Sequence, residues 1–442
     1  MRPRSWMRLS SAVPIRQAQA YGASAPDAIE APADSADAGN GRMADGMPGG
    51  QARFDGRRGA LGALMLRNLL FSILTLGIYR FWGRTHVRRF VWRHTAVLDD
   101  ALEYLGTGGE LFIGFLIAVA VLLPVFAAYS LLQFLFADGP GHALLALEAL
   151  YYLVLFFLIQ IAIHRMRRYR LTRTAWRGVR FGLGGSSFAY ARIAFGYGLL
   201  TAATLGFAYP WMRVATFKYF ASHAYFGTAR LALAPNAGWL FRRWLAVVAP
   251  PIAVAGLSIA VNREQFEDIR YFMEQGGNRS LGEPVIRLVV LPLLVWPIAI
   301  LAWIWYRTVE FRHMVGCLTI GDTGFVSLVR PKYVFWRLFI FVLAMVFIGA
   351  IAGSLALSMV TGFTGAGATK TTIVVSAVVP FLLFALSVGI LRTLLLDIPL
   401  LAHACETLEI SNAGALDEVV QSSAAVPSYG EGTAEALDVG GF

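Results

Sequence analysis

The sequence predicts an all-α polytopic membrane protein, a helical bundle with an internal repeat. It should hold six to eight apolar helices, two of them re-entrant or interfacial. Three observations carry this expectation. Of 442 residues, 57% are hydrophobic and only 15% charged, against roughly a quarter charged in soluble domains. Apolar runs recur that are about 20 residues long, enough to cross a hydrocarbon core of about 30 Å. Finally, NLLFSILTLGIYRFWGRTHVRRF (68–90) is written again as GLLTAATLGFAYPWMRVATFKYF (198–220).

Along the chain, residues 1–50 are rich in Ala, Gly, Pro and Asp, lack the apolar core of a secretory signal, and read as a disordered tail. The membrane domain spans 51–400. Its first apolar segment, 61–79, carries Arg67 and Asn68, which leaves an uncharged stretch too short for a span. Full-length candidates follow at about 111–136, 143–163, 244–261, 285–306, 335–358 and 373–396, with a shorter segment at 188–210. Beyond Pro399 there is no Lys or Arg, and 401–442 reads as an acidic, largely disordered tail. Two cysteines, Cys317 and Cys405, make no disulfide framework.

The net charge of +11 is almost all arginine; the lysines are Lys218, Lys332 and Lys370. These arginines flank apolar spans and aromatics, as in cytoplasmic loops. The expected partner is therefore the bilayer and its anionic lipids, not nucleic acid. Loops 80–110, 164–187, 211–243 and 307–334 are basic, whereas 137–143 has no Lys or Arg and 262–284 has more acids than bases. Loops 164–187 and 211–243 both belong inside, yet segment 188–210 separates them. If that segment and 61–79 enter and return on the cytoplasmic side, six spans remain and both termini are cytoplasmic.

A constant offset of 129 residues aligns the two copies: Thr75-Leu76-Gly77 with Thr204-Leu205-Gly206, Trp82 with Trp211, Arg84 with Arg213, Arg89 with Lys218, His94 with His223. Repeat one covers about 54–163 and repeat two about 181–306, with a degenerate part at 307–400; IGDTGFVSLV (320–329) starts a faded third copy. The strings LTLGIYRFW, THVRRFVW, EYLGTGGELFIG, TAWRGVRFGLGGSS and TLGFAYPW resemble the YjgN family (DUF898) of bacterial inner-membrane proteins, over about residues 52–400. Pro210 keeps the family's Pro before Trp, while Phe81 replaces it in the first copy. The resemblance implies this architecture and a multi-pass inner-membrane location, but no activity.

Thr75/Gly77 and Thr204/Gly206 form either a hairpin tip or a helix-packing notch. Tyr79, Trp82, Tyr209 and Trp211 suit an interfacial aromatic belt, against a substrate-stacking role. On a helix, Val87, Phe90 and Val91 share one face, and Arg84, Arg88, Arg89 and Arg93 the other. That is a basic amphipathic helix, with Arg213 and Lys218 as its second-copy counterparts. Arg67, Asn68 and Arg192 lie inside apolar segments, where ionisable or polar groups mark candidate sites. No carboxylate lies deep in a candidate span, which weighs against proton coupling; Glu148 is near one outer end.

Enzyme signatures are weak. Glu310-x-x-His313 lacks the partners of a di-iron site. The groups His94, Asp99, Asp100, Glu103 and His403, Cys405, Glu406 read as solvated rather than as a metal site. Nucleophile-elbow, zinc-protease and phosphate-loop motifs are absent. No metal or cofactor is expected, and an enzyme is the least favoured class. The leading function is a transporter or channel-like protein for a small or anionic solute, with Arg67, Asn68, Arg192 and the Thr-Leu-Gly bends as its site. The alternative is a non-transporting envelope protein that binds anionic headgroups or a partner through its arginine-rich helices.

Overall fold

The computed structural model describes residues 50–137, 139–261, 263, 282–365 and 369–421. The N-terminal tail expected over 1–50 therefore lies, but for its last residue, outside the described residues, as do 422–442.

Among the described residues there are ten short strands, and eight of them occupy segments read as loops. They pair across two-residue turns: β2 (Thr95–Val97) with β3 (Asp100–Tyr104), β4 (Thr174–Trp176) with β5 (Val179–Leu183), β6 (Ala224–Phe226) with β7 (Ala229–Leu233), β8 (Leu318–Ile320) with β9 (Thr323–Ser327). The fifth pair joins the two ends of the domain, β1 (Gly50–Phe54) beside β10 (Leu408–Ser411), with Gly50 opposite Ile410. Each strand runs antiparallel to its neighbours in chain order, so the sheet closes as a ten-stranded barrel. This overturns the all-α expectation. Strands of three to five residues are too short to show the alternation that announces a strand. The turns fit the right-handed twist of a hairpin: Leu98 and Asp99 have φ of 50° and 65°, Arg177 and Gly178 49° and 74°.

In an antiparallel meander, alternate connections leave the same rim. One rim thus carries the tight turns and the other carries five helical hairpins. Two hairpins are short: α1 (Arg58–Leu74) with α2 (Arg80–Arg93), and α5 (Ser187–Ala203) with α6 (Tyr209–His223). Three are long: α3 (Gly108–Leu135) with α4 (Gly141–Thr172), α7 (Ala237–Val261) with α8 (Gly282–Gly316), and α9 (Pro331–Gly365) with an arm made of α10 (Lys370–Arg392), a π-helical turn (Thr393–Asp397) and α11 (Ile398–Glu406). Among the described residues, five helical stretches have the length and composition to cross a membrane: Gly108–Leu135, Gly141–Thr172, Ala237–Val261, Pro331–Thr364 and Val378–Glu406. The candidate at 285–306 falls on α8. At about 1.5 Å per residue, the 17 residues of α1 and the 14 of α2 fall short of the hydrocarbon thickness.

One register recurs around the barrel: strand of three, turn of two, strand of five, loop of three, helix. The last loop residue caps the helix in three units, where Thr107, Ser186 and Asn236 accept the backbone N–H of Glu110, Ala189 and Trp239. Three residues into the first helix, Leu61, Leu111, Tyr190 and Leu240 are buried. Five residues before the short strand stands an aromatic or histidine: Phe90, Tyr169, Tyr219, His313, His403. Three of these close the base of their own hairpin. The Tyr219 hydroxyl and the Nε2 atoms of His313 and His403 accept backbone N–H groups from Ser186, Asn236 and Arg330 at 2.9, 3.1 and 3.2 Å. The structure therefore holds five units, and each sequence repeat is a short hairpin followed by a long one. The faded copy at 320–329 is the fourth unit's turn and strand, followed by a long hairpin.

Residues 401–421, read as tail, complete the barrel. After β10 a 3-10 turn, Ala413–Leu416, places Leu416 against Trp176 and Phe226 at the turn rim. Arg177 pairs with Asp100 and Asp417 there. Hydrogen bonds, led by that to Asp100, raise its pKa above the ordinary arginine value.

Candidate functional site on the first short hairpin

Both short hairpins turn at Thr-Leu-Gly by the same geometry. Leu76 and Leu205 have φ of 51° and 50°, Gly77 and Gly206 91° and 92°. The amides of Gly77 and Gly206 donate to Ser72 and Thr201 carbonyls at 2.6 and 2.7 Å, closing the helix end in the manner of a Schellman motif. The hydroxyls of Thr75 and Thr204 donate back to Phe71 and Leu200, and accept from the amides of Tyr79 and Ala208. These residues thus form hairpin tips. Both tips are apolar and bare: Leu76 is 95% and Leu205 74% exposed.

Between the first hairpin and α10 lies a cavity of about 200 Å³. Asn68 and Ser72 of α1 and Arg80, Arg84 and Arg88 of α2 supply its polar wall; Met65, Leu69, Val87, Leu386 and Ile390 supply the apolar one. Thr393, where the π-helical turn begins, closes an edge. Arg88 is only 1% exposed, and its Nη1 donates to the Tyr104 hydroxyl of β3 at 3.2 Å, which ties the site to the barrel. Asn68 Nδ2 donates to the Gly83 carbonyl at 3.1 Å, while Asn68 Oδ1 is buried without a donor. Gly83 permits this contact, since a Cβ there would sit 3.1 Å from Asn68 Cβ. A planar guanidinium matches phosphate or carboxylate oxygens, and the apolar wall suits a hydrocarbon chain. A second cavity, about 160 Å³, is almost wholly apolar and lies between α3 and α4, with Arg165 at its edge.

Of the residues singled out in the sequence, Asn68, Arg84 and Arg88 meet in the first cavity. Arg80 joins them, and its place near a tip gave no sequence signal. Arg67 and Arg192 are exposed on α1 and α5, the latter over the Phe188 ring at 5.6 Å; neither lines a described cavity. Trp82 packs on Gly108 and Phe112, Trp211 on Phe241, Tyr79 on Phe71. Arg89 donates to the Gly106 carbonyl at 3.0 Å, and Lys218 is exposed.

The counterpart region of the second hairpin holds a locked cluster. Arg213 Nε donates to Glu310 Oε1 at 2.5 Å and Arg307 Nη1 to Glu310 Oε2 at 2.7 Å, with Glu310 1% exposed. Arg307 also donates to the Tyr209 hydroxyl at 3.0 Å, and Tyr209 stacks on Trp244 at 4.7 Å. Glu310 and His313 serve different partners: His313 stacks on Trp239 and accepts from Asn236. Asp99 faces Arg53, Asp100 pairs with Arg177, and His94 contacts the Phe90 carbonyl. Among the described residues, no three His, Cys, Asp or Glu side chains are grouped to hold a metal.

Long apolar helices standing on one rim of a small closed sheet define a polytopic membrane protein. Its family follows from comparison: residues 50–436 match the model of a bacterial protein family of unknown function, DUF898, and the chain belongs to that family. It is similar to the inner membrane protein YjgN of Escherichia coli, with 31% identity over 139 residues, covering 31% of this chain and 32% of that one. The YjgN protein of Salmonella typhimurium is 28% identical over 130 residues, covering 29% and 30%. The chain thus spans about a third of the length of the relatives it matches. No solved structure matches.

Proposed function

We propose that this is an inner-membrane protein that binds a phosphate-bearing anionic amphiphile between its first short hairpin and α10. The observation that carries this reading is the placement of Arg80, Arg84 and Arg88 opposite a wall of Leu386, Ile390, Met65 and Leu69. Charge and hydrocarbon are recognised side by side, as a lipid presents them. The relatives are named as inner membrane proteins. In the same reading the barrel is cytoplasmic, the six long helices cross, and the two short hairpins enter and return. Support comes from the charges. Loops 164–187 and 307–334 map to the barrel ends of the hairpins, and 80–110 and 211–243 run from just past the short tips down to the barrel, while the 137–143 loop, without Lys or Arg, lies at a far tip.

Two measurements test this. In a Cys317→Ser/Cys405→Ser background, single cysteines at Ser187 and Ala215 should stay shielded from an impermeant reagent applied to intact cells, while one at Gly139 labels. Labelling at 187 or 215 overturns the topology. For binding, native mass spectrometry should find phosphatidylglycerol retained over phosphatidylcholine, with retention lost in Arg80→Gln/Arg84→Gln; equal retention of both lipids overturns the site. Transport of an anionic solute through the same cavity is a second reading, favoured by the π-helical turn beside it, since such turns often mark functional or moving segments. Flux into proteoliposomes that disappears with Arg84→Gln would put transport first.

A further inference from the structure

We infer that the cleft between α3 and α4 is a second lipid site, separate from the cavity at the first short hairpin. It seats one acyl chain of an anionic phospholipid, whose phosphate lies on Arg165. With the sidedness proposed above, that lipid belongs to the cytoplasmic leaflet.

The two helices are joined near both ends and held by other partners in between. Near the barrel, Arg173 donates to the two carboxylate oxygens of Glu110 at 3.0 and 3.1 Å, and the Tyr169 hydroxyl donates to the same group. Toward the far tip, Tyr129 stacks on Tyr151 with ring centroids 4.0 Å apart. Between these joints each helix packs on its neighbouring short hairpin. Phe112 and Phe115 of α3 pack on Phe81 of α2. Phe157 of α4 meets Phe188 and Phe195 of α5 edge-on. Phe156 lies so near Gly198 that a Cβ there would touch its ring at 2.6 Å. A cleft of about 160 Å³ is left between the two long helices.

The chemistry of the cleft selects its occupant. Its wall runs from Leu155 to Arg165 on α4 and from Ile117 to Leu122 on α3, and Arg165 is its one polar residue. Ten residues of α4 rise about 15 Å, half of a hydrocarbon core of about 30 Å, which is the depth of one leaflet. A helix about 10–12 Å across does not fit such a space, and apolar cavities stay dry. An acyl chain matches the cleft in length, width and polarity. It can enter sideways, because Val121 and Ile159 of the wall are exposed. Arg165 stands at the barrel end of the wall, where the headgroup of such a chain would lie. It is exposed, and among the described residues it forms no hydrogen bond or ion pair. Its guanidinium is therefore open to phosphate oxygens.

Because the cleft opens sideways, its lipid exchanges with the bilayer and is read by cross-linking in place rather than by retention after extraction. The probes are phosphatidylglycerol and phosphatidylcholine, each with a mid-chain diazirine, in nanodiscs holding the intact protein. Cross-links are quantified on residues 117–122 and 155–165, with the exposed stretch 346–355 of α9 as reference. Phosphatidylglycerol should label the cleft about fivefold more than phosphatidylcholine, the selectivity expected of one arginine near the membrane surface. Arg165→Gln should bring the two probes to parity there, while Arg80→Gln/Arg84→Gln leaves the ratio unchanged. Parity in the wild-type protein overturns the phosphate contact, whether or not the variants fold. Labelling of the cleft no stronger than that of the reference overturns the site. Loss of the ratio in Arg80→Gln/Arg84→Gln assigns the labelling to the first cavity and overturns a separate site.

Discussion

The two short hairpins share their turn to within a degree or two of φ, yet they do opposite things with their arginines. In the second, Arg213 is held by Glu310 from α8, with Arg307 on the other carboxylate oxygen. In the first, Arg84 occupies the equivalent position on a cavity wall, beside Arg80 and Arg88. Counting back from the following strand, the residue of α4 that matches Glu310 is Met166. Met166 stands where the second hairpin meets a carboxylate, and Arg80 and Arg88 of the cavity wall have Tyr209 and Phe217 as their counterparts. A repeated motif thus conserves backbone geometry, while the neighbour supplied by the next hairpin decides the chemistry.

The comparison can be broken at several points. The largest effect is expected for Glu310→Gln, which leaves two arginines without their buried carboxylate. Removing one partner of a buried ion pair costs about 3–5 kcal/mol, so the thermal midpoint in detergent should fall steeply. Arg84→Gln should reduce anionic-lipid retention; a fall in midpoint as large as that of Glu310→Gln would mean that Arg84 is also a structural joint. Smaller and equal in both hairpins should be the penalty for Gly77→Ala and Gly206→Ala. Each forces a Cβ into left-handed backbone at about 1–2 kcal/mol, and unequal losses in thermal midpoint would show that the tips are not equivalent. Smallest is Arg177→Ala at the turn rim. Its ion pairs with Asp100 and Asp417 are partly exposed, so a loss of about 1 kcal/mol or less is expected, read as faster proteolysis near the C-terminal segment.

Legibility in the sequence followed the range of the interactions. The Thr-Leu-Gly turn was visible because a left-handed glycine and a backbonding threonine act within one helix end. Asn68, Arg84 and Arg88 stood out as polar residues in or beside apolar segments. Arg80 did not, because only α10 turns its position into a cavity wall. Arg67 and Arg192 stood out equally, but intervening sequence offered no sign that both face outward. Phe90, Tyr169, Tyr219, His313 and His403 form one ring of equivalent positions that is hidden by spacings set by hairpins of different lengths.

By itself the sequence determined the membrane character, the long apolar helices and the duplicated short segments. These depend on local composition and on the length an apolar run needs to cross a bilayer. Only the tertiary structure decided that loops are strands, that the repeat is fivefold, and that the ends of the domain close the barrel. Strands of three residues have no stability of their own; they exist because each finds a partner tens or hundreds of residues away. The same holds for Glu310, whose role is set by the arginine that another helix brings beside it.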